Sequence, residues 1–414
     1  MLMKVRKSHK YGMKGRLNIV VTGEVDSGKS TLIGRFLYEM GSLSQGAIEE
    51  IKNVCQKLDT DFEFAYLLDS LEEERRGQLT IDTTQVFCNT KRGKEFVFID
   101  VPGHRELLKN MLCGSSYADI AILVVDVQKS IEQQTQRHAF ILKFLGIEQI
   151  IIVLNKMDLV GFKEIEFKKI KEEVIAFFNK IQLQPRYFIP ISAKQGENLC
   201  RKSKKMGWYK GMSLISVLNT CFKKKRNSEF RFPIQDLYSL NGEKIAVGTI
   251  VSGEVRAGEK VKIMPLGRDY KIKAIKVFKR NIRIAKAPES IGLIFDEMQD
   301  ISRGKVFCKP PLPAVNKRIL SRIFCVHPIN IREKLILKCS TQQVPAWINE
   351  IKGIWDTANL EVIQSKHSLP ASSIAEVIIS TRNPVVVENF AVANRLGRFI
   401  LSNNKDICAI GMVS

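Results

Sequence analysis

The fold of this chain is decided by the stretch Gly23-Glu24-Val25-Asp26-Ser27-Gly28-Lys29-Ser30, which matches the phosphate-loop pattern G-x-x-x-x-G-K-[ST] throughout. The apolar run at residues 17–21 predicts a buried strand before the loop, and the apolar spacing at residues 31–37 predicts a helix after it. A strand, a phosphate loop and a helix in this order predict a nucleotide site at the start of the helix.

The loop residues have separate predicted roles at the phosphates. Gly23 and Gly28 allow the backbone to curl so that successive N–H groups point at the β-phosphate. Lys29 adds a positive charge there, and the hydroxyl of Ser30 is a candidate ligand for Mg²⁺. Asp26 is expected either to hold a monovalent cation or to brace the loop.

Composition narrows the class of protein. The 414 residues are 45% hydrophobic, which is enough for two or three domains. No apolar run reaches the roughly 18 to 20 residues of a membrane span, and the basic start lacks the apolar segment of a signal peptide, so we expect a cytoplasmic protein without membrane contact. The nine cysteines form no C-x-x-C pair and the five histidines form no ligand pattern, so Mg²⁺ is the only metal we expect.

The net charge of +22 has two interpretations. A basic surface attracts an anionic partner such as RNA or the ribosome, but it can also be solvated and have no partner. The strongest cluster, at residues 271–286, has seven basic residues and no acidic one, and its alternation with apolar residues is typical of the wet face of a strand. Both interpretations stay open.

Alternating strand and helix patterns follow the phosphate loop. Strands are predicted at residues 86–88, 95–100, 120–126, 150–154 and 187–191, and helices at residues 107–113, 135–145, 164–180 and 213–221. This alternation predicts an α/β domain with a doubly wound, mostly parallel sheet covered by helices on both faces. Polar motifs follow several of the strands, at the edge where such sheets bind ligands.

After the lysine-rich connector at residues 223–226, the alternation of strands and helices gives way to short strands that are separated by glycine residues. Strands are predicted at residues 232–237, 245–251, 260–264, 270–277, 290–295 and 306–308, and together they predict an all-β barrel. The proline-rich residues 310–313 separate them from a second set of strands, which ends with 391–393 and 398–401. The predicted domains are a basic arm at residues 1–16, a nucleotide-binding domain at 17–226, and two all-β barrel domains at 227–311 and 312–414.

Residues at the γ-phosphate are predicted from their chemistry. Asp100 can hold Mg²⁺ through water, and the N–H of Gly103 can face the γ-phosphate. The hydroxyl of Thr80 can reach Mg²⁺ only while a γ-phosphate holds its loop in place, which is the behaviour of a switch. The predicted Mg²⁺ site is therefore Ser30, Thr80 and Asp100.

Base selection is predicted from two further motifs. Asp158, in Asn155-Lys156-Met157-Asp158, can accept hydrogen bonds from N1 and N2 of guanine, and adenine cannot satisfy this carboxylate. Ser192-Ala193-Lys194 would cap the base edge, with the N–H of Ala193 meeting guanine O6. The residues predicted to bind GTP are Gly23, Asp26, Ser27, Gly28, Lys29, Ser30, Thr31, Asp100, Gly103, Asn155, Lys156, Asp158, Ser192, Ala193 and Lys194.

The order and spacing of these motifs resemble the translation-factor class of GTPases. The resemblance extends to the β domains, where residues 231–236 and 248–253 are similar to the second domain of that class and residues 396–399 to the third. It rests on the phosphate loop and on Leu79-Thr80-Ile81-Asp82, Asp100-Val101-Pro102-Gly103-His104, Asn155-Lys156-Met157-Asp158 and Ser192-Ala193-Lys194.

Two branches of the class are candidates. Residues 30–37 and 134–138 resemble the GTPase subunit of bacterial sulfate adenylyltransferase (ATP sulfurylase subunit 1), and we favour this branch. This branch implies a partner, a small catalytic adenylyltransferase subunit. That subunit joins ATP and sulfate to give adenosine 5′-phosphosulfate and pyrophosphate, and GTP hydrolysis by this chain would drive the reaction. The alternative is elongation factor 1-alpha with its release-factor relatives, which implies a translational GTPase acting on the ribosome with a tRNA or tRNA-mimic partner. Residues 206–211 are close to a segment that both branches share.

The resemblance also assigns a catalytic role to His104, which would position the attacking water. His104, Lys29 and Thr80 form the expected catalytic set. Gln78 departs from the pattern of the class, because it stands where glycine is usual, with Gly77 one place earlier. The switch is therefore expected to open and close differently from that of its relatives.

Overall fold

The computed structural model describes most of the chain in separate ranges. Several predicted features lie outside them, namely the basic arm up to residue 15, the helix at 107–113, the strand at 391–393, and the residues Gln78, Thr80, Gly103 and His104. The described residues are 16–43, 45–46, 48–49, 55–56, 64, 84–90, 93–100, 118–129, 131–223, 229–240, 243–278, 280–297, 299–357, 361–390, 394–403 and 405–414.

The chain divides into two compact units, one up to residue 224 and one from residue 225. The strands of the first unit are β1 (Arg16–Gly23), β2 (Thr84–Asn89), β3 (Glu95–Asp100), β4 (Ile120–Asp126), β5 (Ile150–Asn155) and β6 (Tyr187–Pro190). Its helices are α1 (Lys29–Glu39), α2 (Gln133–Phe144), α3 (Glu164–Lys180) and α4 (Leu214–Thr220), with a short 3₁₀ turn at Met157–Val160.

One sheet forms the centre of the first unit, with strand order β2-β3-β1-β4-β5-β6. The β2–β3 pair is antiparallel, and all other neighbours are parallel. Every residue of β4 and β5 is buried, as expected for parallel strands that are covered on both faces. The predicted mostly parallel sheet is confirmed.

Helices cover both faces of this sheet. Leu17 and Ile19 of β1 pack in one apolar cluster with residues of α1 and α4, whereas Val20 points to the opposite face and is also fully buried. On that second face α2 contacts β1 and β4, and α3 contacts β5. The sheet is thus enclosed, and its carboxyl edge is left for the connecting loops.

The second unit begins with strands that close into a ring. This part of the unit contains β7 (Arg231–Leu240), β8 (Glu243–Thr249), β9 (Glu254–Arg256), β10 (Lys260–Met264), β11 (Arg268–Val277), β12 (Arg280–Ile282), β13 (Ile284–Lys286), β14 (Ser290–Phe295) and β15 (Val306–Cys308). The ring runs in the order β10-β15-β7-β8-β14-β11, and pairing of β10 with β11 joins the two ends. Strand β12 pairs with β11 outside the ring, and β9 pairs with β13.

The rest of the second unit contains β16 (Ala314–Cys325), β17 (Ile329–Asn330), β18 (Leu335–Cys339), β19 (Gln342–Asp356), β20 (Ser368–Leu369), β21 (Ser373–Val387), the short helix α5 (Asn394–Gly397), β22 (Arg398–Ser402) and β23 (Ile407–Val413). A closed barrel is formed in the order β16-β21-β19-β18-β22-β23, and β17 pairs with β20 in a separate two-stranded sheet. An α/β domain followed by two all-β barrel domains, as predicted, is confirmed, while the exact boundaries at residues 16, 226 and 311 stay a prediction.

A buried ion pair joins the ring to the C-terminal barrel. The guanidinium of Arg231, which is 3% exposed, donates from Nε and Nη2 to Oε1 of Glu388 at 2.9 and 2.8 Å. Its Nη1 also donates to the carbonyl of Lys309 at 2.7 Å. An apolar cluster packs across the same junction and consists of Met264, Val306, Cys308, Val386 and Leu396.

A helix can cross a membrane only if it is long and apolar enough to span the bilayer. In the part of the chain that the structure describes, no helix is both long enough and apolar enough to cross a membrane.

Candidate nucleotide-binding site

The phosphate loop connects β1 to α1 at the carboxyl edge of the sheet. Gly23 and Gly28 have φ angles of 153° and 87°, in the region that favours glycine. A Cβ atom at Gly23 would collide with the carbonyl oxygen of Val124, and one at Gly28 would collide with Nδ2 of Asn155. Both glycines are therefore required by sterics as well as by backbone conformation.

Helix α1 begins directly after Gly28. The first helical hydrogen bond runs from the N–H of Leu32 to the carbonyl of Gly28 at 2.9 Å. Lys29 and Ser30 precede Leu32 at the start of the helix, so their N–H groups lie at the loop, where an anion can be bound. The residues Lys29, Ser30 and Thr31, which are predicted to bind phosphate, thus lie in the first turn of α1.

The ammonium of Lys29 is held over the loop. Its Nζ donates to the carbonyls of Gly23 and Glu24 at 3.1 and 2.6 Å. Burial lowers the pKa of Lys29, and the nearby carboxylates of Asp100 and Asp26 oppose this change. The position of this charge is therefore fixed by the protein's own backbone, which is the kind of preorganisation that reduces the cost of forming a charged site.

Hard oxygen donors lie around the same lysine. Asp100 is the last residue of β3 and is in register with Val21 of β1, and Asp100 and Asp26 both act on the charge of Lys29. Ser30 adds a hydroxyl in the first turn of α1. Carboxylate and hydroxyl oxygens are the ligands that Mg²⁺ prefers, so the donor set fits this ion.

The phosphate-loop residue Glu24 makes a contact with Glu132 that the sequence does not predict. Burial, followed by a hydrogen bond to Glu132 and the charge of Glu132, raises the pKa of Glu24 to about 7. Glu132 immediately precedes α2 and is far from Glu24 in the sequence. No sequence signal links these two residues, because their proximity depends on the sheet order.

Asn155 links two loops of the site. Its side chain is 2% exposed, and Nδ2 donates to the carbonyl of Ser27 at 2.8 Å. Its Oδ1 accepts the N–H of Ala193 at 2.9 Å. The sequence assigns this N–H to guanine O6, and that contact stays a prediction.

The motif that follows β5 turns sharply away from the sheet. Lys156 has a φ of 66°, and its ammonium pairs with Oδ2 of Asp126 at 2.7 Å. Asp158 lies in the first turn of the 3₁₀ segment, where it is half-buried. The N–H of Met157 donates to the carbonyl of Ile191 at 3.1 Å, which ties this turn to the loop after β6.

The loop after β6 is anchored from both sides. The hydroxyl of Ser192 accepts the N–H of Gln195 at 3.2 Å, and Ser192 is fully buried. Arg35 of α1 donates to the carbonyl of Lys194 at 3.1 Å. The side chain of Lys194 is exposed.

Four strand ends therefore bring the predicted site residues together. The carboxyl ends of β1, β3, β5 and β6 place the phosphate loop, Asp100, the Asn155–Asp158 turn and the Ser192–Lys194 loop at one edge of the sheet. Thr80, Gly103 and His104 lie outside the described residues, and their predicted roles stay predictions.

Three protein-family models match the chain. They are described as elongation factor Tu GTP binding domain, over residues 14–224, elongation factor Tu domain 2, over 243–308, and GTP-eEF1A C-terminal domain-like, over 320–414. Together they cover both units of the structure.

Curated relatives match over nearly their whole length. Elongation factor 1-alpha of Hyperthermus butylicus is 35% identical, with 97% of this chain and 96% of that protein covered. The same factor from Methanocaldococcus jannaschii is 34% identical, with 96% of each covered, and that from Pyrobaculum arsenaticum is 32% identical, with 97% and 94% covered.

Solved structures of sup35 also align with the chain. The complex with GDP is 22% identical and covers 100% of this chain and 96% of its own, with a TM-score of 0.44. A TM-score at this level supports no functional argument.

Proposed function

This chain belongs to the translation-factor class of GTPases, and we propose that it acts on the ribosome together with a tRNA or tRNA-mimic partner. The observation that supports this proposal is the similarity to elongation factor 1-alpha over 96% or more of this chain, β domains included. The proposal replaces sulfate activation, which we favoured from the sequence, because these relatives are elongation factors. Neither a sulfate-activating activity nor an adenylyltransferase partner has support among them.

The residues of the phosphate loop bind and orient the nucleotide. The N–H groups at the start of α1 face the phosphates, and Lys29, already held by two loop carbonyls, supplies charge at the β- and γ-phosphates. Ser30 and Asp100 would hold Mg²⁺, which neutralises charge between these phosphates when it is bound. Thr80 would complete this site, and His104 would orient the attacking water.

Asp158 selects guanine in this proposal. Replacing Asp158 by Asn removes an acceptor for guanine N1 and N2, so GTP affinity should fall by about 10-fold or more, and xanthosine triphosphate should become the better ligand. Competition binding of the two nucleotides measures this. Asp269→Asn changes an exposed carboxylate in the ring and should leave the preference unchanged. An unchanged guanine preference in Asp158→Asn would show that another residue reads the base.

One experiment compares the two branches directly. GTP turnover of the full chain is measured with ribosomes of the source organism, and separately with a co-expressed adenylyltransferase subunit plus ATP and sulfate. We expect ribosomes to stimulate turnover and the second mixture to have no effect. Stimulation only by the adenylyltransferase subunit with ATP and sulfate would overturn the proposed function.

A further inference from the structure

A surface cavity of about 310 Å³ lies between α3 and the segment at residues 206–211. The sequence assigns no role to this segment. Phe167 and Lys171 line it from one face of α3, because residues four apart lie side by side on a helix. Trp208 and Lys210 line it from the other side. None of these residues belongs to the predicted GTP set.

Aromatic rings form the apolar part of this cavity. The rings of Phe167 and Trp208 have centroids 5.3 Å apart. The ammonium of Lys171 lies 5.9 Å from the ring centroid of Phe167 and 5.6 Å from that of Phe188, within the range of cation–π attraction. The cavity therefore combines an apolar wall with a charge fixed at its edge.

Positive charge exceeds negative charge around the cavity. Its one lining carboxylate, Glu164, pairs with Lys168 at 2.9 Å. Within the described ranges, no carboxylate lies within 4.0 Å of the ammonium of Lys171 or Lys210, and Lys210 bonds only to the carbonyl of Gly207. Two ammonium groups are thus available to an anionic ligand.

The polar groups of the aromatic residues at the cavity already have hydrogen-bond partners. The indole N–H of Trp208 donates to the carbonyl of Phe162 at 2.9 Å, and the hydroxyl of Tyr209 donates to the carbonyl of Phe188 at 3.1 Å. Phe167 is only 6% exposed, and Lys171 lies over its ring, so this ring offers no open face for base stacking. These contacts favour a peptide over RNA.

We propose that this cavity binds an acidic protein segment, with one aromatic or large aliphatic side chain in the cavity and flanking carboxylates on Lys171 and Lys210. Charge complementarity selects the segment, and the apolar side chain fixes its register. The adjoining residues 201–205, Arg-Lys-Ser-Lys-Lys, extend the basic surface along which an acidic segment can run.

The test uses the full chain loaded with GDP. The probe is a fluorescein-labelled peptide of nine residues in which glutamates and aspartates flank a central phenylalanine, and its binding is followed by fluorescence anisotropy. The double variant Lys171→Ala with Lys210→Ala should weaken binding by about 10-fold or more. A peptide with alanine in place of the phenylalanine should lose a similar factor.

The control variant also loses two positive charges, but from positions of α3 that lie outside the cavity. Lys169 and Lys180 are exposed residues of α3 outside the cavity, and their double alanine variant should bind the peptide as the wild type does. Equal losses in the two double variants, or no saturable binding by the wild type, would overturn the proposal. So would binding of an oligouridylate that depends on Lys171 and Lys210 when the peptide does not bind. Unchanged GTP turnover and thermal midpoints verify that the variants are folded.

Discussion

The side-chain amide of Asn155 bonds to the phosphate loop on one side and to the loop after β6 on the other. Asn155→Ala removes both buried hydrogen bonds, each worth about 1 kcal/mol, so affinity for GDP should fall by about 30-fold. Calorimetric titration with GDP measures the loss. Asn179, an exposed amide at the end of α3, provides the control, since Asn179→Ala should bind GDP normally. Wild-type affinity in Asn155→Ala would mean that the two loops hold their positions without the amide.

Glu24 should make stability depend on pH. Its pKa of about 7 in the folded chain lies above the ordinary value of 4.5, because burial and Glu132 disfavour its ionised form. The folded state therefore binds more protons than the unfolded state between these values, and its stability falls as pH rises through this window. The thermal midpoint of the wild type relative to Glu24→Gln should decrease from about pH 5 to about pH 7.5. A constant difference between the two proteins across that range would contradict the raised pKa.

Sequence reasoning located the loop glycines because their pattern reflects steric need. Gly23 and Gly28 leave room for Val124 and Asn155, and any chain with this loop needs that room. The bridging role of Asn155 and the contact of Glu24 with Glu132 could not be predicted. Both depend on which strand ends are neighbours, and no local spacing encodes that.

At the level of elements, Arg231 stabilises the junction between the ring and the C-terminal barrel. Arg231→Ala would leave the carboxylate of Glu388 buried without its partner, which should cost about 3 to 5 kcal/mol of unfolding free energy in the second unit. Urea unfolding of the full chain measures the change. Arg268, which pairs with Asp300 at an exposed site of the ring, provides the control, and Arg268→Ala should cost no more than about 1 kcal/mol. Equal costs would show that the junction is held by its apolar cluster.

Strand prediction succeeded in the ring and was weaker in the C-terminal barrel. The ring strands at residues 260–264 and 290–295 were predicted with their observed bounds, because each is short and ends at a turn. The barrel strands β19 and β21 are 15 residues long. Their pairing shifts register between Ile348 and Glu350 and again between Ile351 and Gly353, which breaks the alternation that marks a strand in sequence.

At the level of the whole molecule, the net charge of +22 should govern association with the ribosome. Contacts between lysine or arginine and phosphate release counterions, so binding should weaken steeply, by about 10-fold or more, as salt is raised from about 50 to about 200 mM. Ribosome-stimulated GTP turnover measured across this range checks the prediction, with turnover without ribosomes as the control. Stimulation that does not change with salt would indicate that the basic surface is solvated and has no role in this contact.

The sequence predicted the GTPase class correctly, but the branch that it favoured, sulfate activation, is not the one that the similarity to elongation factor 1-alpha supports. The residues that favoured sulfate activation, at 30–37 and 134–138, lie in the nucleotide-binding unit. That unit builds a GTP site in either branch, so its residues carry little information about the partner. Partner choice depends on surfaces, and these are assembled from residues distant in sequence.

The Arg231–Glu388 pair also imposes an order on biosynthesis. Arg231 opens the first strand of the ring, and Glu388 follows the strand β21, near the end of the chain. A nascent chain therefore completes the strands of the ring while the guanidinium of Arg231 is still hydrated and has no carboxylate partner. The ion pair between the two barrels can form only after residue 388 has been made, so a newly synthesised molecule acquires it later than the pairing of its ring strands.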